Sequence, residues 1–577
     1  MDFKFQMSLA ELKKRTSKRY YKGVKFLKRD SREVKRLSKN DLLVLMHLTR
    51  AANKLESVNL KLGHPKNMEF LEFLNREEAE GNQKAILAKK LFLSQKSMFS
   101  PDTLGEQTKL AKGIDEPDGL GYFPEDLGAE EFHKIISEML DAGETEEVKE
   151  ILNQRSIVVR DGNKLKAIDF VNAFSEFQEM ADELEKAIEF SDDKKFNKYL
   201  ELQVKALRTA DPMLDAKADK EWAKLSGGKF EFTLARECYD EKLTKSIYEN
   251  DGLMKKLKSA GITVYAKDSL GARVGIVNKS GTKLLRKLKR LIDVSAKLMP
   301  YLDEYENQCS GEDDIPQTAV DVDLVTLTGE EGAYRASLVL AQNLPNDDKP
   351  ALSIGGGRRN VYHRQVRASS NKKLYKNLIA EEQFKYFNPE ADHWAVICHE
   401  NTHSLGPKSH AGLGKYSFII EEYKADMGMY SFLREFVKEG YFTDTQAKQM
   451  IVTSLAYGFL KGKPSITQAH RTRSVMICNR MISTGAIEIR DGKLWFDFDK
   501  VIDTAKEMMS EAIRLQLDAN VKKAEEYVNK WFVWGDDLIG VAETIKKFSK
   551  KLNGYLIQPL ADEMLDDGFE KSLENME

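Results

Sequence analysis

A chain in which HENTH, His399 to His403, closes the apolar run Trp394, Ala395, Val396, Ile397 and Cys398 is committed to a helix at that point. On an α-helix, side chains four apart lie one above the other on the same face, where two imidazoles can meet a single ion. Glu400 follows the first histidine, beside the metal position and outside its coordination shell, as a general base for zinc chemistry requires. With nine histidines in 577 residues, such a pentapeptide arises by chance in about one chain in a hundred of this composition. Taken alone, it also fits two polar positions at the end of a core helix.

Nineteen residues after His403 stands Glu422, within EEYKAD, with Asp426 one turn further on the same helix face. Two histidines and one glutamate leave the fourth tetrahedral position of zinc open, the catalytic arrangement rather than the structural one. Glu421 and Asp426 are placed to orient the imidazoles from behind. Without HENTH, the same letters read as a charged helix face; the distance between the two motifs favours the metal.

Composition narrows the partners. Lys plus Arg, 90, nearly balances Asp plus Glu, 92, and the net charge of -2 gives no general attraction to nucleic acid or anionic membranes. The 41% hydrophobic and 32% charged content is that of a helix-rich globular protein. The N-terminus lacks the apolar run of a signal peptide, and no later stretch has the length of a membrane span. Cys238, Cys309, Cys398 and Cys478 are scattered, so a reducing cytoplasm is expected. Cys398 reads as a buried thiol, and no feature of the sequence indicates an oligomeric state.

Along the chain, helical spacing over Asp41 to Leu60, Lys84 to Phe92 and Phe132 to Leu140 predicts a helical first region, with Asp126 as a candidate cap. An amphipathic charged segment follows from Phe170 to Leu207. Between Gly227 and Val277, and again from Val322 to Leu344, FEFTLA, GITVYA, ARVGIV and DVDLVTL predict strands. The basic residues of Lys283 to Leu298 read as the solvated side of a helix, and GGGRR, Gly355 to Arg359, as a turn. From Asn371 to Lys530 nearly every window is helical. The acidic tail after Leu560 reads as a surface segment, and His363, His393 and His410 as surface or packing residues.

HENTHSLGP followed by EEYKAD resembles the dipeptidyl peptidase III family of zinc peptidases, in the form with a five-residue rather than a six-residue metal motif. The family's familiar HExxGH carries an extra glycine that this chain lacks, a departure that bears on substrate preference and rate more than on metal binding. In patches the resemblance covers Gly121 to Met481, including the framework-like GYFPEDLGAEEF and VNKSGTKLLRKLKRL. NLPNDD is similar to the family's Asn-x-Pro-Asn segment, which implies Asn343 and Asn346 as ligands of a peptide's free amine. ECYDE is similar to Glu-Thr-Tyr, implying Glu237 as a carboxylate for that amine and Tyr239 as a donor to the scissile carbonyl. QAHRTR implies His470 as a stabiliser of the transition state.

The resemblance implies an α+β, mostly helical fold of two lobes about a wide cleft, one mixed with a β-barrel-like core and one largely helical and zinc-binding. Residues 1–280 would form the mixed lobe, 281–310 and 370–545 the catalytic lobe, 311–369 strands returning to the first lobe, and 546–577 a C-terminal segment. The implied activity is release of dipeptides from short peptides by one zinc ion held by His399, His403 and Glu422, with Glu400 as general base. A zinc endopeptidase of the His-His-Glu class, and a catalytically weak peptide-binding homologue, fit the same residues. Imidazole and carboxylate donors also accept other divalent ions.

Overall fold

The computed structural model describes residues 3–17, 21–101, 107–209, 211–225, 227–237, 241–264, 266–307, 317–329, 341–344, 358–366, 372–407, 411–548 and 553–574. Helices dominate, and the apolar side chains gather into two large cores and a small third one at the N-terminus. Among the described residues, no helix is long and apolar enough to cross a membrane.

The first core is built on a five-stranded sheet of β1 (Phe230–Glu237), β2 (Ser269–Val277), β3 (Gln317–Gly329), β4 (Ala341–Leu344) and β5 (Arg358–His363), in the order β1-β2-β3-β5-β4. Only β3 and β5 run parallel; the other neighbours are antiparallel, and the β2/β3 register shifts between Val274 and Gly275. The barrel-like core expected from the family resemblance is an open sheet among the described residues, with β1 and β4 at its edges.

Against this sheet lies α1 (Lys39–Gly63), opened by a capping box in which Ser38 accepts from the Asp41 N–H and Asp41 accepts in return. It packs on α2 (Glu176–Phe190), and the buried His47 of α1 donates from Nδ1 to Glu183 Oε2 of α2 at 2.8 Å. Asp126 caps no helix. Gly128 takes the N-cap position, and Asp126 instead pairs with Arg160.

The tail is not a surface segment. Leu560 and Met564, four apart on one short helix, and Phe569 and Leu573, four apart at the next, are buried in the first core, while Asn553–Ile557 pairs parallel with Tyr21–Lys25. Its acidic residues occupy the outer faces of two short helices, which is why composition concealed the apolar ones.

The second core is helical. Its principal members are α3 (Lys279–Lys289), α4 (Pro389–Thr402), α5 (Ser417–Met427), α6 (Asp444–Gly458), α7 (Ala469–Ser483) and α8 (Phe498–Asp518). On α3, Leu285 and Leu288 are buried while Lys283 and Arg286 are exposed. One hairpin interrupts the helical run: Ile487–Arg490 pairs with Lys493–Phe496 across Asp491 and Gly492, both at positive φ, the signature of a tight hairpin turn.

Sheet and helices meet at β5. Asn360 donates to Asn401 Oδ1 of α4 at 3.3 Å, Asn401 donates to Leu288 O of α3 at 3.4 Å, and Tyr362, Ala319 and Ala341 enter the second core. The helix carrying HENTH is therefore seated directly on the sheet.

Candidate metal centre

Asn388 caps α4 by accepting from the Glu390 N–H, and Pro389 occupies the first turn, where its missing N–H costs nothing. The helix runs to Thr402, and His403 retains helical backbone angles, so His399 and His403 project from the same face. Two glycines shape the surroundings. A side chain at Gly428 would place its Cβ 1.8 Å from Thr402 Oγ1, so a glycine is what lets α5 approach α4 so closely; Gly406, at φ 95°, supports the left-handed turn after the helix.

This close approach brings three donors together. His399 donates from Nδ1 to Asp426 Oδ1 at 2.8 Å, and His403 from Nδ1 to Glu421 Oε1 at 2.9 Å. Both Nε2 atoms are thereby turned to one point, 3.1 Å apart. Glu422 completes the group, with Oε2 3.5 Å from His399 Nε2 and Oε1 3.7 Å from His403 Nε2.

The donor set fits a tetrahedral cation. Ligand bonds of 2.0–2.1 Å place neighbouring donor atoms about 3.3 Å apart, close to the three separations here. With both Nδ1 atoms directed at carboxylates, the neutral rings present their Nε2 lone pairs beside the Glu422 carboxylate, a donor set that a cation can share. His399, His403 and Glu422 are the one such metal-capable group found among the described residues.

Charge balance agrees. Glu421 is met by Lys424, which is fully buried and whose Nζ lies 2.8 Å from Oε1, while Gln516 of α8 donates to Oε2 at 2.7 Å. Arg473 of α7 pairs through Nη1 with Asp426 Oδ2. The four carboxylates Glu400, Glu421, Glu422 and Asp426 outnumber these two cations, an excess of acid that suits a divalent ion.

Burial raises the Glu400 carboxyl above the usual carboxylate range, although His399 and His403 oppose the shift. Burial would also raise Glu422, but the rings of His470, His403 and His399 outweigh it and hold that carboxyl well below the usual range. His470, on the first turn of α7, brings Nδ1 to 2.9 Å from Glu422 Oε2. Cys398 is a buried thiol pushed up to about 12 by burial, as expected of a packing residue.

His399, Glu400, His403, Glu421, Glu422, Asp426 and His470 thus converge. Glu237 closes β1 opposite Ser269, and Asn343 lies in β4 opposite Asn360, so these two stand on opposite edge strands of the sheet; Tyr239 and Asn346 lie outside the described residues. Of the remaining histidines, His363 is buried, His393 packs edge-on against Tyr362, and His410 is likewise outside. Sequence reasoning missed Lys424, Arg473 and Gln516. Lys424 follows Glu421 by three residues and Arg473 follows His470 by three, spacings that share a helix face; nothing local announces Gln516.

Fold and site together define a two-lobed, mostly helical α+β protein with a His-His-Glu centre suited to a divalent metal. The fold is that of dipeptidyl peptidase III. The chain superposes on the enzyme from Corallococcus sp. strain EGB with a TM-score of 0.80 over 98% of this chain and 99% of that one, at 19% identity. On the enzyme from Caldithrix abyssi the score is 0.76 over 96% and 100%, at 20% identity. Nudix hydrolase 3 of Arabidopsis thaliana is 22% identical over 266 residues, 43% of this chain. That match spans about a third of the plant protein's length, 34%. No family model matches the chain.

Proposed function

We propose that the chain is a zinc-dependent exopeptidase that releases dipeptides from the N-termini of short peptides. The observation that carries this reading is the pair of Nε2 atoms held 3.1 Å apart with Glu422 beside them, on a fold shared with dipeptidyl peptidase III over nearly the whole chain. The scattered cysteines favour a reducing cytoplasm as its compartment.

When bound by His399, His403 and Glu422, zinc would supply Lewis acidity and lower the pKa of water to about 7. Glu400 would take a proton from the attacking water and return it to the leaving amine. His470, with a side chain 59% exposed, would turn from Glu422 toward a substrate. With Tyr239 it would donate to the developing oxyanion, a role in which one donor contributes about 2.7 to 4 kcal/mol. Glu237, Asn343 and Asn346 would bind the substrate's ammonium group and set the dipeptide register, which requires the two edge strands that carry Glu237 and Asn343 to curl toward one cleft. Closure of the two lobes would exclude water.

The test is hydrolysis of dipeptidyl naphthylamides by the zinc-loaded protein. Wild type is expected to cleave them and to lose activity when the substrate's N-terminus is acetylated; equal cleavage of the blocked substrate would instead identify an endopeptidase. Glu400→Gln is expected to keep zinc and lose about 100- to 10,000-fold in rate. Wild-type turnover by that variant contradicts the role of Glu400, and tight peptide binding without cleavage by wild type would identify a binding protein.

A further inference from the structure

We propose that Arg473 is a positioning residue, which fastens the helix carrying His470 to both carboxylates of the metal centre; the inference rests on the metal-site reading above. His470 and Arg473 lie three residues apart on α7 and so share one face, and both reach the same oxygen, Glu422 Oε2, at 2.9 Å from His470 Nδ1 and 3.7 Å from Arg473 Nε. The same guanidinium contacts Asp426 Oδ2, whose other oxygen accepts from His399. One side chain therefore pairs directly with the carboxylate that orients His399 and stands at ion-pair distance, without a hydrogen bond, from the carboxylate of the candidate ligand Glu422.

The comparison with Lys424 gives this arrangement its meaning. Lys424 neutralises Glu421 from within α5 and donates to Leu405 O in the turn after α4 at 2.6 Å, so it serves the Glu421 and His403 side of the site. Arg473 comes from a different helix and is largely buried, with a side chain 17% exposed. A planar fork can meet two carboxylates in fixed geometry, whereas an ammonium acts as a point charge. The placement of His470 and the orientation of His399 thus depend on a single contact group.

The test compares wild type, Arg473→Gln, Arg473→Lys, His470→Ala and the Arg473→Gln/His470→Ala double variant. Zinc affinity, read by chelator competition without any peptide, should fall about 10- to 100-fold in Arg473→Gln and less in Arg473→Lys. In turnover, Arg473→Gln should lower kcat with little change in KM, and the double variant should lose less than the product of the single losses, because the two residues act through one placement. Zinc affinity within about twofold of wild type, or losses that simply multiply, overturns the proposal. If Arg473→Gln does not fold, Arg473→Lys decides by the same two readouts. Should wild type cleave no dipeptidyl substrate, the exopeptidase reading falls while the zinc comparison still decides the role of Arg473.

Discussion

Two clusters of buried charge stand about one sheet, and they are finished in opposite ways. At Glu231 on β1, every acceptor is used: Oε1 receives Trp222 Nε1 at 2.7 Å and Thr233 Oγ1 at 2.6 Å, and Oε2 receives Arg359 Nη2 at 2.7 Å and Nε at 3.2 Å. At HENTH and EEYKAD the donors are spent on the rear of the imidazoles, and the front leaves two nitrogens and a carboxylate facing one another. Buried charges paired within the protein hold a fold together. Two imidazoles and a carboxylate aimed at a shared point form a donor set that could hold a metal ion.

The contrast is sharpened most by removing one partner from the closed cluster. Glu231→Gln leaves the Arg359 guanidinium buried against a neutral amide and is expected to cost about 3 to 5 kcal/mol in urea unfolding, with zinc affinity unchanged; a parallel loss of zinc would show that the clusters are not separate. A smaller effect is expected where α4 and α5 touch. Gly428→Ala forces a methyl group into Thr402 and should cost about 1 to 3 kcal/mol, together with weaker zinc binding because the helices that carry the donors are pushed apart. Adding Thr402→Ala should recover part of both losses, and no recovery would locate the strain elsewhere.

The smallest effect belongs to the pair joining α1 and α2. Burial would raise the Glu183 carboxyl, but His47, aided by Lys186, brings it down to about 2. A depressed carboxylate contributes stability that is present above its unfolded value near 4.5 and is lost as pH falls toward 2. Wild type should therefore lose stability progressively through that window. Glu183→Gln should start lower at neutral pH and show a shallower loss there; an identical slope would mean that the pair does not act on folding.

Legibility followed the same division. The candidate metal residues could be read because each motif is local, with His399 and His403 four apart and the Glu421–Asp426 stretch on a single helix; that the two helices meet is what the fold adds. Arg473 was written within QAHRTR but without a sign that it faced Asp426 rather than solvent. Gln516 arrives from α8 by packing alone. The closed cluster was invisible: Arg359, at the end of a glycine-rich stretch that reads as a turn, is instead a buried strand residue, because its charge is answered by Glu231, 128 positions away. The hairpin at Asp491 and Gly492 had its turn signal in plain letters, hidden by helical patterns on both sides. The acidic tail concealed a row of apolar residues that complete the first core.

X-ray absorption on the zinc-reconstituted protein tests the central claim most directly. The geometry predicts one ion per chain, bound by two imidazole nitrogens and carboxylate oxygen at about 2.0 to 2.2 Å without sulfur, and a changed spectrum in Glu422→Ala. A protein that takes up no zinc, or a coordination sphere unaltered by loss of Glu422, would contradict it.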